Sequence, residues 1–245
     1  MRPAAGPPAL DEDHHVHSTF SDDAVATLAD NVRAARQRGL RVLCLADHVR
    51  ASTPWVAEFA ATVAALRPGS GLVLLAGVEA KILDVTGRLD LPGDLHGVDR
   101  VLIADHQFPG EHGPVSPGQV RAELASGQRS AAEVIDCLLT ATTAALSLVA
   151  MPQLAHLFSL LPKLGLDEAD VPDPALRCLA AACCRAGARV EVNEKWGCPS
   201  PRTLRACAAA GVPLVASTDS HDCATVGAYP RVRGLLGRTF AGAVP

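Results

Sequence analysis

Nine histidines stand at positions 14, 15, 17, 48, 96, 106, 112, 156 and 221, and six of them share one setting. His15 and His17 lie on a short apolar run, where a one-residue spacing puts both rings on the same face of a strand. Asp47-His48, Asp105-His106 and Asp219-Ser220-His221 each follow an apolar run, and His156 follows another after a short extension. Glu79 and the triplet Glu191-Val192-Asn193 end two further runs. Each element taken singly is weak, because surface HxH pairs arise by chance and a strand-end Glu or Asp-His pair is ordinarily a solvated loop start or a cap. Seven in succession form a pattern. Imidazole nitrogens mixed with carboxylate oxygens are the donor set of Zn, Mn or Fe, whereas sites built of oxygen alone suit Mg and Ca. His14, His96 and His112 fall outside the pattern and are predicted at the surface; His112 is the one of the three placed to reach a substrate.

The elements that must bring these residues together are short β-branched runs separated by helical segments, the sequence form of repeated βα units around a parallel sheet. Seven runs are predicted: 13–17, 41–46, 72–78, 100–104, 146–151, 189–192 and 212–217. Helices are predicted over 24–38, 54–66, 130–145, 174–185 and 200–210, several followed by the glycine that suits a helix stop. The segment 108–128, rich in Gly and Pro, is expected to be a long loop. In a parallel barrel the C-terminal strand ends share one rim, so groups distant in sequence converge there. The fold class expected is α/β, a distorted (β/α)7 TIM-like barrel in a single domain. Its expected boundaries are a flexible N-terminal segment over 1–12, the barrel over 13–235 and a C-terminal tail over 236–245.

Composition narrows the function classes. The 245 residues are 49% hydrophobic and 20% charged, which fits one globular core. Aromatics reach only 3% and the net charge is −4, so neither a base-stacking platform nor a basic footprint for nucleic acid is present. The eight cysteines form no CxxC pair; Cys178, Cys183 and Cys184 fall in one helical pattern and are expected to be buried thiols. MRPAAGPPAL lacks the apolar stretch of a signal peptide, and the uncharged segment 137–162 is too interrupted by polar residues for a membrane span. A cytoplasmic location is expected.

Asp13-His14-His15-Val16-His17-Ser18 with Ser21-Asp22 resembles the opening motif of the polymerase and histidinol phosphatase (PHP) superfamily. Asp47-His48, Gly77-Val78-Glu79, His106, His156, Glu191-Val192-Asn193 and Ser217-Thr218-Asp219-Ser220-His221 are similar to its later motifs, in order. The resemblance implies two or three divalent metal ions, Zn, Mn or Fe. It implies that His15, His17, Glu79 and Asp219 hold one, that Glu79, His106 and His156 hold a second with Glu79 as the bridge, and that Asp22, His48 and His221 hold a third. Two departures stand out: TDSH in the last motif where SDAH is commoner, and Pro152-Gln153 ahead of His156.

The activity this implies is phosphoester hydrolysis, with a small phosphate monoester as substrate and a metal-bridging hydroxide as nucleophile, in the manner of histidinol-phosphate phosphatase. Glu79, Asp219 and His221 are the ligands expected to serve the chemistry most directly. Arg50 and Lys195, soon after strand ends, are candidates for gripping phosphate oxygens, with Lys81 and Arg231 behind them. Trp196 would wall the pocket or anchor its loop. Other readings stay open: a nucleotide or oligonucleotide phosphodiesterase of the same superfamily, an amidohydrolase-type barrel, or a non-catalytic metal-binding module serving a polymerase. The short interval between Glu79 and His106 leaves no room for the inserted domain of the nucleotide-hydrolysing relatives. The expected partner is a small phosphorylated molecule, with no membrane and with the oligomeric state left open.

Overall fold

The computed structural model describes residues 3–95 and 97–241; His96 therefore lies outside the described residues. Strands β1 (Glu12–Val16), β2 (Val42–Val49), β3 (Val73–Lys81) and β4 (Arg100–Ala104) alternate with helices α1 (Leu28–Gln37) and α2 (Val56–Leu66) before β4. A hairpin of β5 (Phe108–Pro109) and β6 (Pro114–Val115) then leads to α3 (Pro117–Ser126) and α4 (Ala131–Ala145). Strand β7 (Pro152–Leu154), α5 (Leu161–Leu164), α6 (Asp173–Ala186), β8 (Arg189–Asn193), α7 (Pro201–Ala209), β9 (Leu214–Ser217) and α8 (Pro230–Phe240) complete the chain.

Seven strands form one sheet in the order β1-β2-β3-β4-β7-β8-β9, every pairing parallel. The sheet curls until its edges meet. The His17 amide donates to the Ser220 carbonyl at 2.8 Å, and the Asp219 amide donates to the His15 carbonyl at 2.9 Å. The result is the nearly closed seven-stranded α/β barrel that the βα pattern implied. Strand β2 shows why the pattern is readable: Leu43, Cys44, Leu45 and Ala46 are all fully buried, because helices cover one face and the barrel interior the other.

Four features differ from expectation. The fifth barrel strand is Pro152–Leu154 rather than 146–151. Leu146 caps α4, Leu148 and Met151 are exposed, and β4 offers its pairing partners only to Pro152, Gln153 and Leu154. Pro152 takes the first strand position, where its missing N–H is tolerated. Within 108–128 the chain forms the hairpin and α3, whose Ser116 N-cap, Pro117 and left-handed Gly127 are standard helix ends. Only Val120 of α3 is buried, so no apolar stripe advertised it. Helix α8 falls outside the predicted helices and runs across the boundary placed at 235/236. Cys178 is exposed and Cys184 half-buried, leaving Cys183 as the one of that trio inside the core.

Candidate metal centre

The expected strand-end residues meet at the C-terminal rim. Nε2 of His15 and Nε2 of His17 lie 2.9 Å apart, and each is 3.4 Å from Oε2 of Glu79. Oδ1 of Asp219 is 3.4 Å from His17 Nε2. Ligands at about 2.0–2.1 Å from a tetrahedral ion stand roughly 3.3–3.4 Å from one another; the three 3.4 Å separations match that spacing, while His15 and His17 stand closer, and His15, His17 and Glu79 form a group able to hold one ion. The other oxygen of Glu79, Oε1, is 3.2 Å from His106 Nε2 and 2.9 Å from His156 Nε2. One carboxylate thus faces two sets of imidazoles.

A third group surrounds His48 and His221, whose rings lie 4.4 and 4.1 Å from that of His17. The carboxylate that reaches it is Asp23, not Asp22. Oδ2 of Asp23 is 3.5 Å from His48 Nε2 and 3.2 Å from His221 Nε2. Among the described residues Asp22 makes no ion pair with either; it lines the neighbouring cleft beside His48 and Arg50. The turn decides this: Ser21 donates its amide to the Ser18 carbonyl, and Val25 donates its amide to the His221 carbonyl, which draws Asp23 over the ring.

Each buried candidate histidine of the cluster has its second ring nitrogen held. His15 Nδ1 is 3.0 Å from Glu191 Oε1. His17 Nδ1 is 3.2 Å from Ser21 Oγ, which donates to Asp47. His156 Nδ1 is 2.9 Å from Ser159 Oγ, which donates to Asp105. Partners of this kind fix the ring and leave the opposite nitrogen's lone pair for a metal. Asp47, Asp105 and Glu191, which ended runs in the sequence, therefore serve as orienting groups.

The electrostatics of the cluster suit divalent cations. Among the described residues Glu79 Oε2 is buried with no hydrogen-bond partner; His48 Nδ1 lies 2.8 Å away but outside hydrogen-bonding direction. Burial would raise the Glu79 pKa, yet the imidazoles of His106 and His15 hold it well below the usual carboxylate range. Burial drives His17 down to about 3, keeping its ring neutral. Burial acts on His156 in the same sense, but the Asp105 and Glu79 carboxylates overcome it and push the ring up to about 10. An unpartnered buried carboxylate oxygen and mixed imidazole and carboxylate donors fit divalent ions of the Zn, Mn or Fe type.

A cleft of about 260 Å³ opens over the cluster, walled by Lys163, Lys195 and Trp196. Lys195 Nζ lies 3.4 Å from Asp219 Oδ1 and 3.2 Å from His221 Nδ1. Trp196 donates its indole N–H to Asp219 Oδ2 at 2.9 Å, so it fixes that carboxylate as well as walling the pocket. Lys163, which no sequence feature singled out, sits 4.1 Å from the Trp196 ring centre on α5. Arg50 and Lys81 line an adjoining cleft of about 240 Å³. Arg231 donates to the Lys195 carbonyl and lines a further cleft beside Asp219 and His221. His14, expected at the surface, is buried. The β1–β2 register slips between Asp13 and Val16, so strict alternation fails there and His14 turns toward Arg100.

A family model for the PHP domain matches residues 13–154, more than half of the chain. A probable phosphatase of Photobacterium profundum is 35% identical over 98 residues, 39% of this chain and 40% of that protein. A probable phosphatase of Vibrio vulnificus is 38% identical over 82 residues, 33% of each chain. The matched region thus spans two fifths or less of the length of these relatives. Among solved structures, histidinol phosphate phosphatase from Lactococcus lactis subsp. lactis, in complex with Zn, L-histidinol and phosphate, superposes with a TM-score of 0.63. That likeness covers 93% of both chains at 17% identity. With the family match spread over the strands that carry His15, His17, His48, Glu79 and His106, this chain belongs to the PHP domain family.

Proposed function

We propose that the protein is a metal-dependent phosphatase acting on a small phosphate monoester. The observation that carries this reading is the Glu79 carboxylate, with one oxygen directed at His15 and His17 and the other at His106 and His156. His15, His17, Glu79 and Asp219 would hold one ion; Glu79, His106 and His156 a second; Asp23, His48 and His221 a third. Divalent ions held there would supply water acidified to a pKa of roughly 7 and positive charge for phosphoryl oxygens. The chain's own contribution is placement and charge. Lys195 and Lys163 flank the cleft as cations for the phosphate, while Trp196 fixes Asp219. Arg50 stands farther off, beside His48, where a phosphate seated toward that cleft would meet it.

The named relatives, though matched over part of their length, and the phosphate-bound neighbour support a phosphatase over the amidohydrolase reading. A cytoplasmic site of action suits eight cysteines that are all free thiols. Among the described residues no helix is long and apolar enough to cross a membrane. The test is metal analysis of the purified protein beside a screen of phosphate monoesters, diesters and nucleotides with Mn or Zn. Phosphate release from monoesters that disappears in Glu79→Ala and His106→Ala is expected. A wild-type protein that retains no divalent metal and releases no phosphate overturns the proposal.

A further inference from the structure

On the far side of His15 from the cleft, a line of buried polar groups runs down the barrel interior. Glu191 Oε1, which holds His15 Nδ1, also accepts from Gln153 Nε2 at 2.7 Å. Gln153 Oε1 accepts from Arg100 Nη1 at 2.9 Å, and the same Nη1 lies 2.8 Å from His14 Nδ1. Gln153 and Glu191 are fully buried and Arg100 nearly so. The three come from neighbouring strands, with Leu102 opposite Gln153 in β4–β7 and Gln153 opposite Arg189 in β7–β8. The displaced fifth strand, with the Pro152-Gln153 pair that departs from the motif, is what puts this amide inside.

We infer that Arg100 and Gln153 are positioning residues for the metal centre: Arg100 orients the Gln153 amide, which steers Glu191 so that His15 presents Nε2 to the metal. The donor and acceptor inventory leaves one arrangement. A guanidinium only donates, so Gln153 must turn its oxygen to Arg100 and its NH2 to Glu191. A carboxylate only accepts, so the proton between Glu191 and His15 sits on Nδ1 of the imidazole. The ligating nitrogen is then Nε2, the atom 2.9 Å from His17 Nε2 and 3.4 Å from Glu79. At the other end, the guanidinium obliges His14 Nδ1 to accept, which leaves its Nε2–H for Glu12 at 2.8 Å. Glu191 Oε2 is already engaged by the His156 amide, Asn193 and Ser217, so Gln153 is the group that holds the oxygen facing His15.

This inference rests on the metal-binding reading of the rim, which the metal content of the wild type tests on its own. The decisive measurement is Zn affinity by chelator competition for the full chain, the Gln153→Leu and Arg100→Met variants and the double variant, each checked for native circular dichroism and thermal unfolding. Gln153→Leu is expected to weaken Zn binding about 10-fold, the lower end of the cost of losing a group that orients a ligand histidine. Because Arg100 acts through Gln153, the double variant should bind no more weakly than Gln153→Leu alone. In the Zn-loaded wild type the Nδ1–H proton of His15 should give a protected NMR signal that broadens or vanishes in both single variants. If Leu at 153 prevents folding, Arg100→Gln carries the test, since an amide at 100 can face Gln153 with either end; weaker Zn binding is expected there too. Unchanged Zn affinity in a folded variant, or losses that simply add in the double variant, would overturn the inference.

Discussion

At the scale of single residues, the site is a set of imidazoles divided by what lies behind them. His17 is held neutral by burial, whereas His156 is held protonated by the Asp105 and Glu79 carboxylates and its pKa stands at about 10. A protonated ring cannot ligate, so the metal binding proposed for His156 would displace its proton near pH 7. Zn titrated into chelator-treated protein is therefore expected to release protons, read by calorimetry in two buffers of different ionisation enthalpy. The sign for stability follows. A raised histidine pKa stabilises the metal-free fold fully below the unfolded value near 6.5, and that contribution is lost as pH rises toward 10. Metal binding grows stronger over the same window. The rise in Tm between EDTA and Zn should widen steadily from pH 6.5 to 9.5; a gap that narrows would contradict the assignment of His156 as a ligand. A second residue-scale prediction separates two neighbours. Asp23→Asn should lower metal occupancy and phosphate release at least about 10-fold, the scale of losing a group that tunes a metal site. Asp22→Asn, whose carboxylate pairs with neither imidazole, should stay within twofold in the same assays.

Elements divide into those whose sequence states their role and those that geometry settles. Arg100–Ala104 matches its expected strand residue for residue, because its stretch Val101–Ala104, covered on both faces, is apolar throughout and then turns polar where it reaches the rim. The candidate metal-binding residues at the ends of β2, β3, β4 and β9, which the structure brings together, stood out in the sequence for the same reason. What escaped lies where one residue of offset changes the outcome. The register slip in β1 turns His14 inward, the 18–25 turn substitutes Asp23 for Asp22, and the fifth strand starts six residues later than its apolar run. Helix α3 had proper ends but one buried side chain, and Lys163 sits on a single turn of helix with no periodicity to betray it. The glycines offer a test at this scale. Gly87 has φ +81°, and a Cβ there would stand 2.4 Å from the Ala145 amide at the end of α4. Gly127, at φ +73°, has open space around it. Gly127→Ala should cost about 1 kcal/mol for the left-handed backbone. Gly87→Ala should cost about 1–3 kcal/mol more from the clash. Urea denaturation of both variants checks the order.

For the whole molecule, the eight thiols report on how the barrel is sealed. Cys44, Cys183, Cys198 and Cys207 are buried, and burial pushes Cys44 up to about 11 and Cys207 up to about 12. Cys178 is exposed on α6. With a thiol reagent at pH 8 the native protein is expected to show a fast phase that Cys178→Ser removes, and these four should react only after unfolding. Reaction of all eight at one rate would mean that the core opens freely. The seam between β1 and β9 has its own consequence. His15 and His17 sit beside it on one side, Asp219 and His221 on the other, at opposite ends of the amino-acid sequence. During synthesis on the ribosome, the first and third of the proposed ligand sets would stay incomplete until residues 219–221 have emerged. A nascent chain would therefore offer only the proposed Glu79, His106 and His156 set early, and an ion bound across the seam would act as a clasp that closes only once both of its edges are present.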